Sequence, residues 1–139
     1  MIATDMLMPA MVLVLWTLVM WLWMAVCRVQ AISGSGERLD PSRTNEEHAR
    51  ALPLAVRWKL DNYHNLLEQP LLFYATLVVL AVGGAGNLDL WLAWAYVGLR
   101  VVHSFHQSLR NVIEERFTIF SAASLILVVL AVRALMAVG

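Results

Sequence analysis

Residues 6–27, MLMPAMVLVLWTLVMWLWMAVC, decide the class of this chain, because 22 consecutive positions carry no charge. At about 1.5 Å of rise per residue, such a helix crosses the roughly 30 Å hydrocarbon layer of a bilayer. No Lys or Arg precedes it in Met1-Ile2-Ala3-Thr4-Asp5, and Met24-Ala25-Val26 lacks the small residue that a lipoprotein cleavage site would need before Cys27. A retained transmembrane helix is therefore expected rather than a cleaved signal. Composition agrees: 60% of the 139 residues are hydrophobic and 14% charged, against about half and about a quarter in soluble domains. Ten basic residues balance ten acidic ones, so there is no strongly basic surface for nucleic acid. The one cysteine, Cys27, can form neither an intrachain disulfide nor a thiolate metal cluster.

Outward from that helix, residues 28–65 hold Ser33-Gly34-Ser35-Gly36, Asp40-Pro41-Ser42 and most of the charge, the pattern of a polar loop with at most one short surface helix. Hydrophobic sequence resumes at Leu66, and Gln69 to Leu88 is uncharged, placing a second span at about 66–86. Pro70 lies near the start of that run, where a missing backbone N–H is best tolerated. Gly83-Gly84-Ala85-Gly86-Asn87 reads as a tight turn, since glycine takes the positive φ that a helix C-terminus requires. A third span over 89–109 has to carry Arg100, His103, His106 and Gln107. A fourth over about 117–137 reaches full length if Arg116 and Arg133 snorkel to the interfaces. The expected fold is all-α: an integral membrane four-helix bundle in a single domain spanning 1–139.

Orientation follows from the basic residues of the short loops. Arg28, Arg38, Arg43, Arg50, Arg57 and Lys59 follow the first span, and Arg110 and Arg116 precede the fourth, whereas the N-terminus and the glycine turn have none. Both termini are expected outside the cytoplasm, with Arg133 as the single basic residue on the wrong side.

A charge inside a span is costly unless paired or hydrated, and so marks a candidate site. Glu68 and Arg100 qualify. Depth matching around the glycine turn sets Glu68 level with His103 and Arg100 one turn deeper. This predicts an ion pair or charge-assisted hydrogen bond between the second and third spans, within one subunit or across a boundary. Arg100, His103, Gln107 and Arg110 share one stripe of the third helix, and Asp61, Asn65 and Glu68 one stripe of the second. With Arg116 opening the fourth helix they form an anion-friendly cleft, or else serve only to join helices. His64, His103 and His106 match no metal motif of known spacing, so no metal is expected. The tryptophans Trp16, Trp21, Trp23, Trp91 and Trp94 read as membrane anchors and packing residues.

Asn65-Leu66-Leu67-Glu68-Gln69-Pro70-Leu71-Leu72-Phe73 resembles the Asn-x-x-Glu signature and following proline-containing run of the MAPEG family, the membrane-associated proteins of eicosanoid and glutathione metabolism. Arg100-Val101-Val102-His103 is similar to that family's Arg-x-x-His or Arg-x-x-Tyr motif, and Arg116 falls where the family keeps an arginine at the start of its last helix. The resemblance implies a homotrimer with glutathione bound between neighbouring subunits near the cytoplasmic side. It also implies a catalytic role for Arg116, which would hold the thiol as thiolate, with Asn65, Glu68, Arg100 and His103 shaping the pocket and Gln107 and Arg110 beside them. Lipophilic small molecules and membrane lipids are the implied partners.

This chain departs from the family at the positions ahead of Asn65. Where the glutathione-using members carry arginines that grip the tripeptide's carboxylates, it has Trp58, Asp61 and His64. It also has Gln107 where a tyrosine is common. Two functions of different class follow: a thiol-dependent transferase or peroxidase acting on lipophilic electrophiles, and a non-catalytic trimer that binds a lipid or a protein partner in the same groove.

Overall fold

The computed structural model describes residues 3–36 and 39–139. Arg38, counted above among the basic loop residues, lies outside them, as do Met1, Ile2 and Glu37. Among the described residues the chain is all-helical. A 3-10 turn over Thr4–Met6 leads into α1 (Leu7–Ser35), followed by the short α2 (Asn45–Ala51), α3 (Leu54–Gly83), α4 (Asn87–Leu109) and α5 (Ile113–Val138). α3 and α4 pack against each other, and each also packs against α1 and α5. By length and composition Thr4–Ser35, Leu54–Gly83 and Ile113–Val138 are able to cross a membrane.

Helix boundaries differ from the hydropathy boundaries for a physical reason. A helix ends where its backbone is capped, not where its side chains become polar. α1 continues two turns past Cys27 until Gly36 takes a left-handed φ of 65°. α3 begins at Leu54, directly after Pro53, so the charged residues Arg57, Lys59 and Asp61 are helical, and the 28–65 segment is a loop only in its middle. There Thr44 and Glu47 form a reciprocal capping box that starts α2: Glu47 N–H donates to Thr44 Oγ1, and Thr44 N–H donates to Glu47 Oε2 at 2.7 Å. Those hydrogen bonds from Thr44 hold the Glu47 carboxyl below its usual pKa.

Pro70 also sits differently from the expectation. It is buried in the middle of α3, not near its start, and a proline there leaves the carbonyl four residues back without its helical donor. The glycine turn forms as expected. Gly84 adopts φ 106°, and Asp89 closes the start of α4 by accepting from Gly86 N–H at 2.8 Å. Arg133 of α5 donates to the same Asp89 carboxylate through Nε and Nη2. The basic residue on the wrong side thus has a partner.

α4 is inverted relative to a soluble helix. Its buried face contains Asp89, Arg100, His103, Ser104, Gln107 and Ser108, while Trp91, Val102, Phe105 and Leu109 are exposed. The outer surfaces of α1 and α5 are likewise apolar, as at Leu15, Leu18, Leu125 and Leu135. A polar interior under an apolar exterior suits a hydrocarbon surrounding, not water.

The core behind the site is joined by one amide. Gln69 of α3 donates to Ser124 Oγ of α5 at 2.7 Å and accepts from Tyr96 OH of α4 at 3.2 Å. Below it the Phe73 and Tyr96 rings stack at 4.3 Å. Three helices are thereby held in register.

Candidate functional site

Four of the residues singled out from the sequence line one groove between α3, α4 and α5: Asn65, Glu68, His103 and Arg116. Ile113, Phe117 and Phe120 complete it, and it encloses about 260 Å³. Glu68 is exposed, Asn65 and Arg116 are half-buried, and His103 is buried, its ring centroid 6.0 Å from that of Phe120. One wall is therefore polar and carries both signs of charge, and the other is aromatic.

The remaining three take other positions. Arg100 is fully buried behind the groove: Nη2 donates to the Asn65 carbonyl at 2.9 Å, and the guanidinium lies 5.8 Å from the Tyr96 ring centroid and 5.5 Å from that of Phe120. Gln107 is buried and accepts from Asn65 Nδ2 at 3.4 Å. Arg110 is exposed at the end of α4, 3.9 Å from Glu115. The expected charge-assisted bond between α3 and α4 exists, but its acceptor is the Asn65 carbonyl, not the Glu68 carboxylate. No Glu68–Arg100 ion pair occurs among the described residues. Depth matching placed the two at neighbouring levels, but rotational phase decides contact: Leu66, Pro70 and Phe73 face the core, which turns Glu68 outward.

Arg116 is positioned by its own turn. Asn111 adopts φ 52° and ends α4, its N–H donating to the His106 carbonyl at 2.8 Å, a left-handed conformation asparagine tolerates better than most residues. Its Oδ1 then accepts from Arg116 Nη1 at 2.7 Å. The nearby acid Glu115 is engaged elsewhere, accepting from His106 Nε2 at 2.6 Å. Arg116 is in no ion pair among the described residues, and it lines the groove together with Glu68. Val112 at the start of α5 provides no side-chain cap, and the first-turn N–H groups add partial positive charge on the same side.

Sequence reasoning missed Asn111 and the aromatic wall. An Asn between two helices is a known C-terminal signal, and the 113, 117, 120 spacing marks one helix face; both were available but carried no charge to attract notice. Among the described residues no three His, Cys, Asp or Glu side chains converge on a point that could hold a metal ion. Asp61 and His64 are exposed on α3 and do not line this groove.

No curated protein and no solved structure is found to match the chain. The sequence pattern of the MAPEG family matches residues 6–136, nearly the whole length. On that coverage, and with three helices able to span a membrane, the chain belongs to the MAPEG family.

Proposed function

We propose that this is a four-span, homotrimeric membrane protein that uses the groove for thiol-dependent transfer or peroxidase chemistry on lipophilic electrophiles, with both termini outside the cytoplasm. The observation that carries it is Arg116: a cation in no ion pair among the described residues, held by Asn111 beside Phe117 and Phe120. Supporting the fourth crossing, α4 runs back along α3 from the glycine turn, as the Phe73–Tyr96 and Asn65–Gln107 contacts attest. The basic residues gathered at one end support the orientation.

The groove fits part of glutathione. A cation for the sulfur and an acid, Glu68, for an ammonium are both present, but of its two carboxylates the groove of one protomer has no second cation to receive either. When bound, a thiol supplies the nucleophilic sulfur. The chain's own contributions are electrostatic and steric: Arg116 and the α5 N-terminus favour negative charge at the groove mouth, His103 and Asn65 offer hydrogen-bonding groups, and Phe117 and Phe120 offer apolar contact to a lipophilic co-substrate.

Glutathione titrated calorimetrically into the detergent-solubilised protein, with thiolate difference absorbance recorded at about 240 nm, tests the proposal. The wild type should give the thiolate band at neutral pH, and Arg116→Ala should lose it while retaining most of the binding heat. Absence of both signals in the wild type refutes thiol chemistry. The second reading, a non-catalytic groove for a lipid or protein partner, then takes its place.

A further inference from the structure

A second cavity lies apart from this groove, at the far end of α1. It encloses about 330 Å³ between the last turns of α1, the 39–53 segment and α2, and Arg28, Arg43 and His48 all border it. An adjoining cavity of about 320 Å³ shares the same three residues and adds Asp40. Ile32, one turn beyond Arg28 on the same face of α1, joins Leu52 and Pro53 in adding apolar lining.

The charges facing this space can be assigned individually. Asp40 is the one acid bordering it among the described residues. Its Oδ1 accepts from Ser42 N–H at 2.9 Å and Ser42 Oγ at 2.7 Å, and its Oδ2 lies 3.8 Å from Arg43 Nε. The bonds from Ser42 hold its carboxyl below the ordinary carboxylate pKa, so it stays charged and offsets part of Arg43. His48 donates Nε2–H to the Asp40 carbonyl at 2.9 Å, which secures the loop. Arg28 has no carboxylate within ion-pair distance among the described residues. Among the described residues two guanidinium groups face one carboxylate, a net positive balance.

Position completes the case. Arg28 directly follows the 22-residue uncharged run, so it sits where hydrocarbon gives way to headgroups. Two turns below it on the same face, α1 exposes Trp21, an apolar surface along which an acyl chain can lie. A cavity bordered by guanidinium groups and by apolar side chains, with an apolar ring below it on the same helix face, suits a phosphate carried on an amphiphile. We infer that Arg28 and Arg43, in a pocket closed by the His48-anchored loop, bind the phosphate of an anionic headgroup at the membrane boundary. The inference is independent of the thiol chemistry proposed for the groove.

The test uses the full chain in nonionic detergent with two probes. Dioleoyl phosphatidylglycerol or dioleoyl phosphatidylcholine is added at equal concentration and bound lipid is read by native mass spectrometry. Inorganic phosphate is titrated separately by calorimetry. Three proteins are compared: wild type, Arg28→Gln/Arg43→Gln, and Arg50→Gln/Arg110→Gln, which removes the same charge from exposed positions outside the cavity. The expected result is about tenfold preference for the anionic lipid in the wild type and the control pair, abolished in the Arg28/Arg43 variant. Heat with inorganic phosphate that depends on Arg28 and Arg43, without lipid preference, supports the same site with a free phosphate as its source. Equal lipid retention in all three proteins with no such heat overturns the inference. An Arg28→Lys/Arg43→Lys protein, which keeps the charge, should retain part of the preference and guards against misfolding of the Gln variant.

Discussion

Replacing Arg100 with methionine should leave the protein as stable as before or make it more stable, which runs against the usual expectation for a buried arginine. The guanidinium is fully buried, yet Nη2 makes its one hydrogen bond, and Nε and Nη1 have no partner among the described residues. A hydrogen bond from a charged group contributes about 1.5–3 kcal/mol, and each ring contact, at Tyr96 and Phe120, about 0.5–2 kcal/mol. Against these stands the desolvation of a buried ion, several kcal/mol even after relaxation. The terms nearly cancel. Methionine keeps the apolar stem and removes the charge, so the net change should lie between about 1 kcal/mol of loss and a gain of a few kcal/mol. Arg100→Ala also removes volume and should be worse than Arg100→Met by about 2–4 kcal/mol. Reversible unfolding in mixed dodecyl maltoside and dodecyl sulfate micelles, followed by tryptophan fluorescence, measures both. A loss above about 3 kcal/mol for Arg100→Met would mean that the unpartnered donors are satisfied in the assembled protein, and the reasoning fails. The same variant releases the Asn65 carbonyl and should weaken ligand binding in the groove.

Asp89→Asn and Arg133→Gln should each lower the midpoint of thermal unfolding, and the double variant should fall no further than the worse single one; simple additivity would deny the pairing. The Glu47 carboxyl is held below its usual pKa by Thr44, so its contribution to α2 is complete above the unfolded-state value and is lost as pH falls through the lower folded-state value. Amide exchange across α2 should accelerate over that acid range, and Thr44→Ala should remove the dependence. Gly83→Ala should destabilise by about 1–3 kcal/mol through crowding, since an added Cβ would come within 3.0 Å of Val138 Cγ1, and Val138→Ala should relieve part of that. Gly84→Ala meets open space but requires φ 106°, so its cost comes from backbone strain and should be unaffected by Val138→Ala.

What could be read from the sequence was the set of segments and their order. The uncharged run from Met6 to Cys27, the glycine turn at 83–87 and the polar stripe on α4 all correspond to real features. Hydropathy reports the surroundings of a side chain, however, and not the state of its backbone. Arg57, Lys59 and Asp61 looked like loop residues and are helical. Lys59 is even buried, its Nζ donating to the Ala55 carbonyl and lying 4.8 Å from the centroid of Trp23. Asn111 was overlooked for a related reason: it performs at the α4–α5 turn what Gly84 performs at the α3–α4 turn, and a single asparagine is a much weaker signal than a run of glycines. Within one chain Glu68 and Arg100 do not pair, because an antiparallel hairpin sets relative depth, whereas contact also needs phase, and each residue turns the helix by about 100°.

The distinction between depth and phase also separates scaffold from chemistry. Of the four polar residues on the α4 stripe, Arg100 and Gln107 point into the protein and contact Asn65, Arg110 leaves the helix at its exposed end, and His103 alone borders the groove. A polar residue in an apolar helix was reason enough to suspect a site, yet most of this stripe fixes α3 against α4 and thereby sets where Asn65 stands. The groove's cation comes instead from the first turn of α5, where Arg116 is held by the turn residue Asn111. The buried stripe holds α3 against α4, and under the proposed thiol chemistry the α4–α5 turn supplies the group that acts on sulfur. Reactivity should therefore be more sensitive to changes at Asn111 and Arg116 than to changes at the more deeply buried Arg100.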